Sequence, residues 1–164
     1  DLTQARIRIE AAIIELAVER GDADWEAGMI ASFHALSRTP LPVRPDDTEA
    51  IALWEARHRA FHRAIASGCA SNWLLRIQAQ LSDHTERYRR VRTFHFATPA
   101  QVARDVEREH RDLLDALLAR KAPRASDLMR AHLEHTARAV SALWEQGRKA
   151  GAARKAVRRQ PRAA

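Results

Sequence analysis

Apolar residues recur along this chain at helical spacing, three or four positions apart, and nowhere with the alternation of a half-buried strand. Over Leu2 to Glu19 the stripe is Ile9, Ile13, Leu16 and Ala17, with Ile14 at its edge and Arg6 one turn earlier, near the same face. Gly21 predicts the end of this first helix. Asp22 is placed to cap a second helix running to Ser37, with Trp25, Met29, Phe33 and Leu36 on one side. Pro40, Pro42 and Pro45 then break the period and predict a connector. A third helix, capped by Asp46 or Asp47, extends to about Ser67 and presents Trp54, His58, Phe61, His62 and Ile65. Gly68 closes it, and Ser71 caps a fourth from Asn72 to about Thr93, with Leu74, Ile77, Leu81, His84, Tyr88 and Val91 in register. Thr98 followed by Pro99 predicts the start of a fifth helix, which reaches about Arg120 and faces inward with Val102, Val106, His110, Leu113 and Leu117. Pro123 marks the next turn. A sixth helix begins near Arg124 or Ser126 and ends near Gln146, its face reading Leu128, His132, His135, Ala139 and Leu143. The predicted fold is all-α, an antiparallel helical bundle of about six to seven helices with no internal repeat.

Composition adds boundaries to this picture. The chain has 164 residues, enough for one domain with a sizeable core. No apolar run approaches the length needed to span a bilayer, so no membrane partner is expected. Its single cysteine, Cys69, excludes an intrachain disulfide and points to a reducing compartment, the cytoplasm. The formal charge of +7 is unevenly placed. Seven of the 28 Lys and Arg residues follow Gln146 and no acid does, which leaves 21 basic residues against 21 acidic ones before it. Residues 1–146 therefore read as the domain, without an electrostatic footprint for nucleic acid, and 147–164 as a basic, mostly disordered tail.

The chemistry lies in the eight histidines. His34, His95 and His135 occupy positions that suggest little. His58 and His62 stand one helical turn apart, so their rings converge beside the third helix. His110 and His132 lie in the apolar stripes of two further helices. A buried neutral imidazole needs partners for both nitrogens, and several together without a cation are costly. The residues alone leave two readings open, a divalent metal site and a set of ordinary core histidines. Neutral imidazole suits Zn, Ni, Fe or Cu, whereas Mg and Ca want oxygen. His84, Asp83 and Glu109 are the candidates to hold the second nitrogen of a ligating ring. Glu55, three residues before His58, and Glu109, next to His110, fall off the apolar stripe, so no placed general base is expected. Arg6, and Arg87, Arg89 or Arg90 around Tyr88, are candidates to clamp a carboxylate.

Four segments taken together carry a family resemblance: ARIRIEAAIIELAVERG, HRAFHRAIASGCASNWLL, LSDHTERYRRV and EREHRDLLDALLARKAPRASDLMRAHLEHT. In this order they resemble the C-terminal effector-binding (FCD) domain of FadR-type regulators in the GntR family, most of all the CsiR-like members. The resemblance covers about residues 1–146. It implies a helical bundle that holds a divalent metal on an Asp, a His four residues later, and one His on each of two later helices. Those positions here are His58, His62, His110 and His132, with His58 standing where the family usually has Asp. An all-imidazole set favours zinc, then nickel, over manganese. The resemblance further implies a small carboxylate effector, with Arg6, Arg89, His84 and Tyr88 as its expected binding residues. It implies a homodimer that reads operator DNA only through an N-terminal winged helix-turn-helix domain, absent from this chain. The competing readings are a metal-dependent enzyme on a helical bundle and a structural bundle without metal.

Overall fold

A computed structural model describes residues 1–42, 44, 46–93 and 105–158, with side chains described through 86, over 105–142, and at 145 and 148. Six helices account for it: α1 (Leu2–Arg20), α2 (Ala23–Ser37), α3 (Thr48–Ser67), α4 (Asn72–Thr93), α5 (Val106–Leu118) and α6 (Ala122–Arg158). No strand occurs among the described residues. The all-α bundle follows from the helical period, because each stripe must find an apolar neighbour. α1 lies against α6, α4 and α3, while α2 packs on α3 and α5, and α5 on α6. The shared core includes Ile13, Ile14, Met29, Phe61, Ile65 and Leu113, all essentially inaccessible to solvent.

The caps are those the sequence offers. Asp22 accepts from the Trp25 amide at 2.9 Å, Asp47 from Ala50 at 3.0 Å, and Ser71 from Leu74 at 3.4 Å. The predicted start of the fifth helix at Pro99, with Val102, lies outside the described residues. The described part of α5 begins after Asp105, which accepts from the Arg108 amide at 2.8 Å. Pro123 sits in the first turn of α6, where its missing N–H costs nothing. That helix continues to Arg158, beyond the expected end near Gln146, through an Ala-, Arg- and Lys-rich stretch of good helix formers.

Three turns meet at one end of the bundle. Arg120, at φ 54°, donates to the carbonyls of Val18 and Gly21 and pairs with Glu26, which ties the α5–α6 turn to the α1–α2 turn. Arg20 donates to the Cys69 carbonyl at 3.1 Å and ties in the α3–α4 turn. Trp25 is the plug between them, donating through Nε1 to the Ile65 carbonyl at 3.1 Å. A glycine that ends a helix commonly does so in a left-handed conformation, but Gly21 has φ −62°. Its reason is space: a Cβ there would stand 2.1 Å from the Trp25 ring. Gly68 is constrained in the same way, a Cβ meeting Trp25 Nε1 at 2.7 Å.

Two helices are rotated from the predicted face. On α4 the buried positions among the described side chains are Gln78 and Glu86, whereas of the predicted face Leu74 and Leu81 are half-buried and Ile77 and His84 exposed. On α6 the buried line is Ala125, Met129, His132, Leu133 and Thr136, with Leu128 half-buried and His135 exposed.

Candidate metal centre

α3 carries Trp54, His58, Phe61, His62 and Ile65 on its buried side, as its period requires. His58 and His62 are 4 % exposed each, His110 on α5 1 % and His132 on α6 5 %. These four rings form one cluster. One ligand atom from each lies within 4.8 Å of every other. The centroids of His58 and His62 are 4.5 Å apart, and those of His110 and His132 4.6 Å. His62 Nε2 and His110 Nε2 stand 3.4 Å from each other. Two donors on a tetrahedral zinc ion with Zn–N of about 2.0–2.1 Å are separated by roughly 3.4 Å. The arrangement is therefore of a size to hold a divalent metal, and the four neutral nitrogens are the donor set of a borderline cation.

Packing fixes the rings. Trp54 stacks on His58 with centroids 4.9 Å apart and 22° between planes. Phe61 meets His110 edge-on at 5.5 Å. Glu109 Oε2 lies 2.9 Å from His132 Nδ1, and Glu109 Oε1 lies 3.0 Å from His135 Nδ1. A carboxylate only accepts, so His132 donates from Nδ1 and its Nε2 keeps a lone pair for the cluster. Of the three candidates for this partner, Glu109 is the one so placed, while Asp83 and His84 are both exposed on α4. The expectation that Glu109 points away is corrected by these two contacts, and His135 belongs to the surroundings of the site. Glu55, expected off the stripe, is 1 % exposed and thus buried.

A second set of buried polar groups includes Arg6, whose partners are not among those expected from the sequence. Arg6 is buried and its Nη2 donates to Glu10 Oε1 at 3.1 Å. Gln78 Nε2 reaches the same oxygen at 3.4 Å, linking α1 to α4. Glu86 pairs with Arg59 between α4 and α3. The signal for the first pair is present in the sequence, since Glu10 follows Arg6 by one turn on the apolar face. Beside Arg6 opens a pocket of about 510 Å³ whose walls include Thr85, Leu133, Thr136 and Val140. Thr136 donates its hydroxyl to the His132 carbonyl, so the pocket lies along the α6 turn that carries a ligand histidine. Among the expected effector-binding residues, Arg6 lines this pocket and His84 is exposed. The side chains of Tyr88 and Arg89 lie outside the described residues.

Known proteins share this architecture. The family model described as the FCD domain matches residues 1–135. The chain belongs to the FCD domain family. It is 38 % identical over 133 residues to the HTH-type transcriptional repressor GlaR of Escherichia coli K12, covering 81 % of this chain and 60 % of that protein. It is likewise 38 % identical over 134 residues to an uncharacterised HTH-type transcriptional regulator, BphR, of Paraburkholderia xenovorans LB400, covering 82 % of this chain and 53 % of the relative. The FCD chain thus spans little more than half the length of these relatives. Its fold matches the crystal structure of a GntR-family transcriptional regulator from Pseudomonas syringae with a TM-score of 0.71 and 18 % identity, over 92 % of this chain and 58 % of that one. Both relatives are named as transcriptional regulators. None of the described helices is long and apolar enough to cross a membrane.

Proposed function

We propose that this FCD chain is the sensing domain of a bacterial GntR/FadR-type transcription regulator, holding a divalent metal on His58, His62, His110 and His132 and binding a small organic acid beside it. The observation that carries this reading is the convergence of four buried imidazoles from three helices on one point. Burying four such rings costs desolvation that a shared cation offsets. The absence of a carboxylate among the four donors favours zinc first and nickel next. Once bound, the cation supplies uncompensated positive charge that favours a carboxylate ligand.

The pocket beside Arg6 supports this reading of the acid's place. The pocket beside Arg6 is apolar along Leu133 and Val140, with Thr85 and Thr136 hydroxyls as polar points. Arg6 is held there by Glu10, so its guanidinium is oriented before any ligand arrives. In the intact cytoplasmic protein, a homodimer, operator DNA is read by an N-terminal winged helix-turn-helix segment. Acid binding then shifts the relation between the two DNA-binding parts, in proportion to its differential affinity for the two arrangements.

The test is elemental analysis of untagged protein purified without added metal, with calorimetric titration of a panel of small carboxylic acids. The expected result is near one metal per chain and acid binding that chelation abolishes. A content below about 0.2 metal per chain, which no preformed site of useful affinity would give, overturns the reading.

A further inference from the structure

The contact that the proposed function leaves unused is the second one made by Glu109. Its two oxygens are divided between His132 on α6, buried, and His135 one turn later, whose side chain is 45 % exposed. The distances, 2.9 and 3.0 Å, are those of good hydrogen bonds on both sides. Glu109 itself precedes His110 on α5. One carboxylate therefore spans the α5–α6 seam next to two of the four clustered rings.

We infer that His135, although on the surface, is a positioning residue for the metal centre, acting through Glu109 on His132. This rests on the metal reading given above. The physical reason is geometric. A carboxylate held by one oxygen swings about its Cγ–Cδ bond, and a single hydrogen bond leaves the imidazole it faces free to rotate with it. A second donor on the other oxygen fixes the plane of the carboxylate. That in turn fixes the His132 tautomer and the direction of its Nε2. Preorganisation of this kind appears as affinity, because less freedom is lost when the cation binds. His135 is well placed to do this and contributes little to the core, being half exposed with its ring nitrogen Nδ1 facing the carboxylate.

The experiment uses the full chain stripped of metal and titrated with zinc against a competing chelator. Glu109→Ala is expected to weaken zinc binding about 10- to 100-fold, the usual effect of removing such a partner. His135→Ala is expected to weaken it on the order of three- to tenfold, a fraction of that effect. His135→Gln, whose amide still donates, is expected to recover most of the loss. The metal-free variants at 135 should melt with the wild type, since the side chain is half exposed and outside the core. Cobalt-loaded His135→Ala should also show altered visible bands, which a role in folding alone would not produce. Wild-type zinc affinity in His135→Ala, whatever Glu109→Ala does, overturns the inference and leaves the metal site standing. A loss at His135→Ala that Gln does not recover overturns the hydrogen-bond mechanism. A wild-type chain that binds no zinc overturns the metal reading, and this inference with it.

Discussion

His58 carries the departure that shapes this site. The resemblance places an Asp at its position, and the ring that replaces it is stacked on Trp54 and lies 5.0 Å from His110 and 5.9 Å from His132, centroid to centroid. It is thus inside the cluster, between its own helix and the two that supply the other rings. His62 is more central, with Nε2 facing His110 Nε2 at 3.4 Å. His62→Ala should accordingly abolish metal binding and with it any rise in melting temperature on adding zinc, both readable from elemental analysis and thermal melts. Full metal content in His62→Ala would remove it from the ligand set. His58→Asp should keep both the fold and the metal while shifting preference toward harder cations, because one neutral nitrogen becomes an anionic oxygen. Competition between zinc and manganese reads this out, and loss of all metal would count against His58 as a ligand. The four histidines were legible from sequence because each sits on an apolar stripe. Glu109 was legible only as one of three candidate partners, since its two contacts lie on a different helix and no local spacing ranks it above Asp83 or His84.

At the scale of elements, α1, α2, α3 and the described part of α5 lie where their periods place them, because their buried residues are mostly apolar. α4 is the instructive failure. Of its predicted stripe, Leu74 and Leu81 are only half-buried and Ile77 is 36 % exposed, while Gln78 and Glu86 are buried and reach Glu10 and Arg59. A hydrophobic stripe identifies the core only when the core opposite is apolar. Here the opposing face of α1 holds the Arg6–Glu10 pair, and Gln78 on the polar side of α4 donates to Glu10 Oε1. The glycines give a test at the same scale. Gly28 on α2 has open space where a Cβ would go, so Gly28→Ala should stabilise by about 0.5–1 kcal/mol through helix propensity. Gly68, with ordinary backbone angles at φ −65°, gains nothing comparable and would drive a methyl into Trp25. Gly68→Ala should cost about 1–3 kcal/mol, the range for overpacking, and lower the melting temperature. Denaturant melts of the two variants beside wild type decide both signs.

The whole molecule is held together differently at its two sides. At the turn end, Trp25, Arg20 and Arg120 tie loops together by hydrogen bonds that need no ligand. Around the histidines, α3, α5 and α6 bring nitrogen donors together whose mutual approach is costly until a cation neutralises it. α5 and α6 pack on each other, and α6 also carries α1, so a constraint on this trio reaches most of the core. Metal bound only by the native state stabilises by mass action, about 2.7 kcal/mol when free metal is a hundredfold above its dissociation constant. For a domain of this size a kilocalorie is worth about 2–4 °C in melting temperature. Zinc at that excess should therefore raise the melting temperature of the stripped chain by about 5–10 °C, and chelation should reverse it. Because the donors come from three helices, the transition should stay single and move as a whole, since none of α3, α5 and α6 can melt in the metal-bound chain without releasing a ligand, and α1, α2 and α4 pack on them. A second, metal-insensitive transition in calorimetry would instead mean that the turn end unfolds independently of the histidine cluster.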